Sequence, residues 1–195
     1  MSRKPVLITA VIAFLGLGMT PLFGLQTPRM QMTAAAEPDR MQKSLDADMA
    51  NHQSEMEALA NRLEASYHAI ADARDAKGYV RDKATLNAHE ATIKKFREAL
   101  REWKRSARNY EHQCGLTREH EDAVAEHQKQ MKRVFHDVLD SFETLEYTNE
   151  AHYDPNYEAI VPIGDAFNEH RAALKRLSDA IQHQQAMEPI MRKCS

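Results

Sequence analysis

Cysteine, glycine and proline are all scarce in this chain. Its 195 residues include 2 Cys, 6 Gly and 7 Pro. So little glycine and proline excludes a low-complexity chain and argues against a sandwich of short strands and many turns. Two cysteines are too few for a disulfide-built scaffold or a four-thiolate zinc site. There is no Cys-x-x-Cys-His, so covalent c-type haem attachment is excluded. No Gly-rich phosphate loop, His-Glu-x-x-His or nucleophile elbow occurs. No large excess of one charge exists either: the formal net charge is −3. Basic and acidic residues interleave, which argues against a nucleic-acid partner. The run Arg101–Arg108 is the only local basic patch, and acids dilute it. An enzyme is the least supported class, because no acid–base or nucleophile constellation emerges; Ser106 and Ser141 have no triad context.

What is abundant is histidine and methionine, 10 of each. The amino terminus is also distinctive. Ser2-Arg3-Lys4 precedes an uncharged, mostly apolar stretch from Val6 to Leu25. This reads as a secretory signal or a signal anchor over residues 1–36. No Cys follows the stretch, so lipid anchoring is excluded. The expected location is extracytoplasmic or periplasmic, either soluble after cleavage or held in the membrane by residues 6–25.

Residues 37–195 carry a helical apolar period almost throughout. Leu45, Met49, His52, Met56, Leu59, Leu63, Tyr67 and Ile70 recur in steps of three and four, so they share one helix face. The same holds for Leu86, His89, Ile93, Phe96, Leu100, Trp103, Ala107 and Tyr110. It holds again for His120, Val124, His127, Met131, Val134, Val138, Phe142 and Leu145. A fourth face runs through Phe167, His170, Leu174, Leu177, Ile181, Gln184, Met187 and Met191. Breaks fall near Gly78, near Gly115 and across Tyr147–Pro162. Asp82 and Thr117 are suited to start helices. The expected fold is all-α: an antiparallel four-helix bundle with hairpins at 37–115 and 116–195.

The hairpins resemble each other. His52-Gln53-x-x-Met56 recurs 75 positions on as His127-Gln128-x-x-Met131. Asn87-Ala88-His89 recurs 81 positions on as Asn168-Glu169-His170. This is the mark of a duplicated hairpin with pseudo-twofold symmetry. Cys114 and Cys194 end the two halves at the same end of the bundle. In an oxidising compartment they are expected to form a disulfide, worth ~3–4 kcal/mol by the chain-entropy argument. The alternative is a surface thiolate site with His112 and His120.

The repeat gives the histidines a chemical meaning. Residues four apart on a helix are neighbours, so each His-x-x-x-Met can offer an imidazole nitrogen and a thioether sulfur to one ion. His52, Met56, His127 and Met131 are expected to converge on one layer. Trp103, His183 and Met187 flank it, and His89 and His170 form a candidate second site. Thioether with imidazole, without carboxylate, favours copper, above all Cu(I). The leading expectation is therefore an exported protein that sequesters or carries copper. One alternative is a haem b electron carrier with His52 and His127 as axial ligands. Another is a ligand-free structural or interaction module at the membrane. The expected loop Tyr147–Pro162, rich in Tyr and acids, is a candidate surface for a periplasmic or membrane protein partner.

Overall fold

The computed structural model describes residues 36–115 and 117–191. Four helices account for nearly all of them: α1 (Ala36–Asp72), α2 (Lys83–Cys114), α3 (Arg118–Tyr153) and α4 (Ile163–Met191). At 1.5 Å per residue they are roughly 45–55 Å long. Helix α1 packs mainly on α2, and α3 on α4; α1 also meets α4, and α2 meets α3. The pairs α1/α3 and α2/α4 are diagonals. This is a four-helix bundle made of two hairpins. No described helix is long and apolar enough to cross a membrane. The apolar segment 6–25 lies outside the described residues.

Local chemistry sets the helix ends. Asp82 accepts a hydrogen bond from the Ala84 N–H at 3.0 Å and so caps α2. Gly115 ends α2 at φ 58°, a left-handed conformation that glycine adopts without Cβ strain. Thr117 precedes α3 without a side-chain cap bond.

The loop between α1 and α2 is tied to α3 by Asn149. Its side-chain oxygen accepts from Val80 N–H at 2.7 Å, and its amide donates to Val80 O at 2.9 Å. Asn149 thereby satisfies both backbone groups of a buried residue. The Tyr79 ring stacks on His152 at 3.7 Å between centroids.

That tie corrects one expectation. The break predicted across Tyr147–Pro162 is shorter, because α3 continues to Tyr153. The polar composition of 147–153 suggested a loop. Thr148 and Asn149 are instead buried in the last turns of a helix.

The core follows the predicted faces and the pseudo-twofold. Leu63 and Val138, Tyr67 and Phe142, Ile93 and Leu174, and Phe96 and Leu177 are matched pairs, all buried. Phe96 also stacks on Phe135, with centroids 5.3 Å apart. Burying side chains of this kind contributes ~1.5–3 kcal/mol each.

Candidate functional site

Two polar layers interrupt this core. The first joins the diagonal helices α2 and α4. His89 and His170 are both 0% exposed, and their Nε2 atoms face each other at 2.8 Å. The rings are nearly perpendicular, at 85°. Each Nδ1 meets a serine from the other diagonal: Ser66 Oγ lies 2.6 Å from His89 Nδ1, and Ser141 Oγ lies 2.9 Å from His170 Nδ1. Each hydroxyl also reaches back along its own helix, Ser66 to Leu63 O at 3.0 Å and Ser141 to Val138 O at 3.1 Å. Such back-bonding is common for serine inside a helix. Phe142 packs on both imidazoles, at 5.0 and 5.5 Å between centroids. Burial pushes His89 down to about 4. Burial, helped by repulsion from His89, pushes His170 down to about 3. Both rings are neutral at pH 7.

Ser66 and Ser141 are the residues of this layer that the sequence pattern did not single out. Ser141 has a chemical context after all, in His170. A serine amid helical sequence gives no signal by itself. The two are separated by the same 75 positions as His52 and His127, and that coincidence would have revealed them.

The second layer lies further along the bundle. His127 on α3 is 4% exposed, and Trp103 on α2 meets its ring edge to face at 5.7 Å. Gln184 on α4 is fully buried. Among the described residues, His127 Nδ1 and Nε2, both Gln184 side-chain polar atoms and Trp103 Nε1 have no partner in good hydrogen-bond geometry. Burying such groups unpaired is costly. Burial holds His127 below the usual histidine range; the nearby Gln184 amide opposes this, and the His183 charge adds to it. Gln184 and His127 are close enough to influence each other, but they do not meet hydrogen-bond geometry. Met56 and Met131 are both 0% exposed. Met131 stands one turn from His127 on the same face.

The expected equivalence of His52 and His127 is incomplete. His52 is 26% exposed, with Nδ1 3.9 Å from the Glu55 carboxylate. It belongs to the rim of the bundle, while His127 is inside. His183 is exposed, with its ring 6.1 Å from that of His127. The Met187 and Cys114 side chains and all of Cys194 lie outside the described residues.

Among the described residues, no three His, Cys, Asp or Glu side chains form a group that could hold an ion. An ion in either layer would therefore have to accept two imidazoles, or imidazole with thioether. That donor set suits a soft cation. Comparison with known proteins adds nothing: no family model, curated protein or solved structure matches the chain.

Proposed function

We propose that this chain is an exported copper-binding bundle that carries or sequesters Cu(I) in the layer of His127, Met131 and Met56. The observation that carries this reading is His127, a buried imidazole with neither ring nitrogen in a well-formed hydrogen bond among the described residues. A bound ion would take one of those nitrogens. Met131, one turn away on the same helix, would add a thioether, and Met56 of α1 would add a second. Trp103 covers the layer and keeps water out. Export is supported by the basic start and apolar run of residues 2–25. The same compartment favours a Cys114–Cys194 disulfide. Its test is thiol alkylation of unreduced protein, which should leave both cysteines unmodified. Exposed Tyr157 and Ile160, on the loop 154–162, offer a surface to a delivery partner.

The haem reading based on His52 and His127 is not favoured, because His52 sits at the rim beside Glu55. The deciding experiment is metal analysis with an absorption spectrum, on protein exported to a periplasm and purified without chelator. His127→Leu should remove one equivalent of copper per chain. Unaltered stoichiometry and affinity overturn the site. A Soret band replaces copper with haem. A blank, with no change in melting on adding copper or haem, leaves a structural module.

A further inference from the structure

We infer that His89 and His170 form a second metal centre, separate from the His127 layer: a buried, two-coordinate site for a soft monovalent cation of the Cu(I) and Ag(I) class. The argument is a count of protons. The layer contains five short contacts in a row: Leu63 O to Ser66, Ser66 to His89, His89 to His170, His170 to Ser141, and Ser141 to Val138 O. Each needs one proton to be a hydrogen bond. Two neutral imidazoles and two hydroxyls carry four protons. One contact is therefore always without its proton.

A cation on the Nε2 atoms removes the deficit. Both rings then carry their proton on Nδ1. Each Nδ1–H donates to a serine oxygen, and each serine O–H donates to its carbonyl. Four protons serve four bonds, and the ion takes the fifth position. This is the outer-shell arrangement that metal-bound histidines normally have, an Nδ1–H held by an acceptor that is itself held. Here it is already in place on both sides and related by the pseudo-twofold.

The donor set selects the ion. Two neutral nitrogens, with phenylalanine around them and no carboxylate, suit a low-charge cation that accepts two ligands. Metal–nitrogen bonds are about 2 Å long, so the nitrogens must part from 2.8 Å to about 4 Å. The rings come from α2 and α4, which do not pack directly on each other. The rings can separate without unpacking a helix pair. A groove of about 330 Å³ between α1 and α4 provides an approach, and Tyr67 forms part of its lining. The Tyr67 ring is 5.8 Å from that of His170.

Silver nitrate is the probe, because Ag(I) is redox-inert. The protein is full-length His127→Leu/Met131→Leu, so the other layer cannot answer for this one. It should bind one Ag(I) per chain, with a change in the His89 and His170 Nε2 nitrogen resonances. Replacing His170 with Phe in that background should abolish binding. Ser66→Ala/Ser141→Ala should weaken it by about 10–100-fold, as loss of outer-shell partners does. The resonance shift is also readable in the unmutated chain, so a variant that fails to fold does not remove the test. Silver that leaves both Nε2 resonances unmoved overturns the proposal. So does haemin binding with a Soret band that depends on His170. Retained silver binding in the background variant supports this centre whatever becomes of the copper layer.

Discussion

Two layers of one core, built from the same repeated hairpin, handle buried histidine in opposite ways. In the His89–His170 layer both halves keep the same parts, an imidazole and a serine each. The result is a line of contacts in which each ring nitrogen has a neighbour. In the His127 layer the halves have diverged. Trp103 stands where its pseudo-equivalent is Gln184, and His52 has moved to the rim while His127 stays inside. Five buried polar atoms there make no well-formed hydrogen bond among the described residues, although His127 and Gln184 lie close to each other. Symmetry gives every ring nitrogen of the first layer a neighbour, though the line is one proton short, and its loss leaves the second layer open. A buried imidazole costs little when paired and is expensive when not, so the open layer is where an added ligand gains most.

The largest expected effect comes from breaking the paired layer. His170→Phe leaves His89 and Ser141 facing an apolar ring. It should cost about 2–4 kcal/mol in denaturant unfolding of metal-free protein, since a buried group left unpaired costs ~1–3 kcal/mol. The double variant His89→Leu/His170→Leu should cost less than this single one, because both partners leave together. Acid tests the same layer without mutation. The free histidine value is 6.5 and the folded values are about 4 and about 3, so the unfolded chain binds protons first. The stabilisation is fully present above pH 6.5 and is lost as pH falls toward 4. Uptake by His89 alone should remove about 3 kcal/mol across that window. Denaturation midpoints at pH 7, 5 and 4 measure it. A flat profile would mean that the pair is not buried neutral.

The open layer should respond with the opposite sign. His127→Leu removes an unpartnered polar group, so metal-free protein should gain about 1 kcal/mol or stay unchanged. Gln184→Leu should behave alike. The same His127→Leu change should reduce the rise in melting temperature that copper gives the parent chain, and adding His170→Phe should abolish what remains, by linkage of binding to folding. Destabilisation of the metal-free His127 variant by more than about 1 kcal/mol would show that the ring already has a partner, and the contrast between the layers would fail.

The helices, their pairing and the convergence of His89 on His170 were legible in the sequence, because a period near 3.6 residues and a constant offset carry that information. The finer chemistry was not. Ser66 and Ser141 look like ordinary helical serines until a histidine from another helix meets them, and that meeting depends on tertiary packing. The tail of α3 was misread because Tyr147, Thr148 and Asn149 have the composition of a loop. Instead the stretch is the end of α3, where Asn149 is buried and its side chain bonds to Val80, 69 positions away in the chain. The asymmetry of His52 and His127 was hidden for the opposite reason. Identical motifs predict identical burial, and only the packed neighbours Trp103 and Gln184 distinguish the two halves.

The smallest expected effect is the sharpest test of that asymmetry. His52 is partly exposed, and its carboxylate neighbour lies on the adjacent turn, itself 56% exposed. Pairs of this kind contribute little, and surface substitutions away from special features usually stay within about 0.5 kcal/mol. His52→Ala should therefore leave stability within that range and copper affinity within about threefold in a chelator competition, while His127→Leu removes an equivalent. If His52→Ala instead weakens copper as much as His127→Leu does, the bound state must draw His52 inward. That requires the His52 turn of α1 to move further into the core when the ion arrives. The asymmetry would then belong to the metal-free chain alone, with binding restoring the symmetry that the His89–His170 layer never lost.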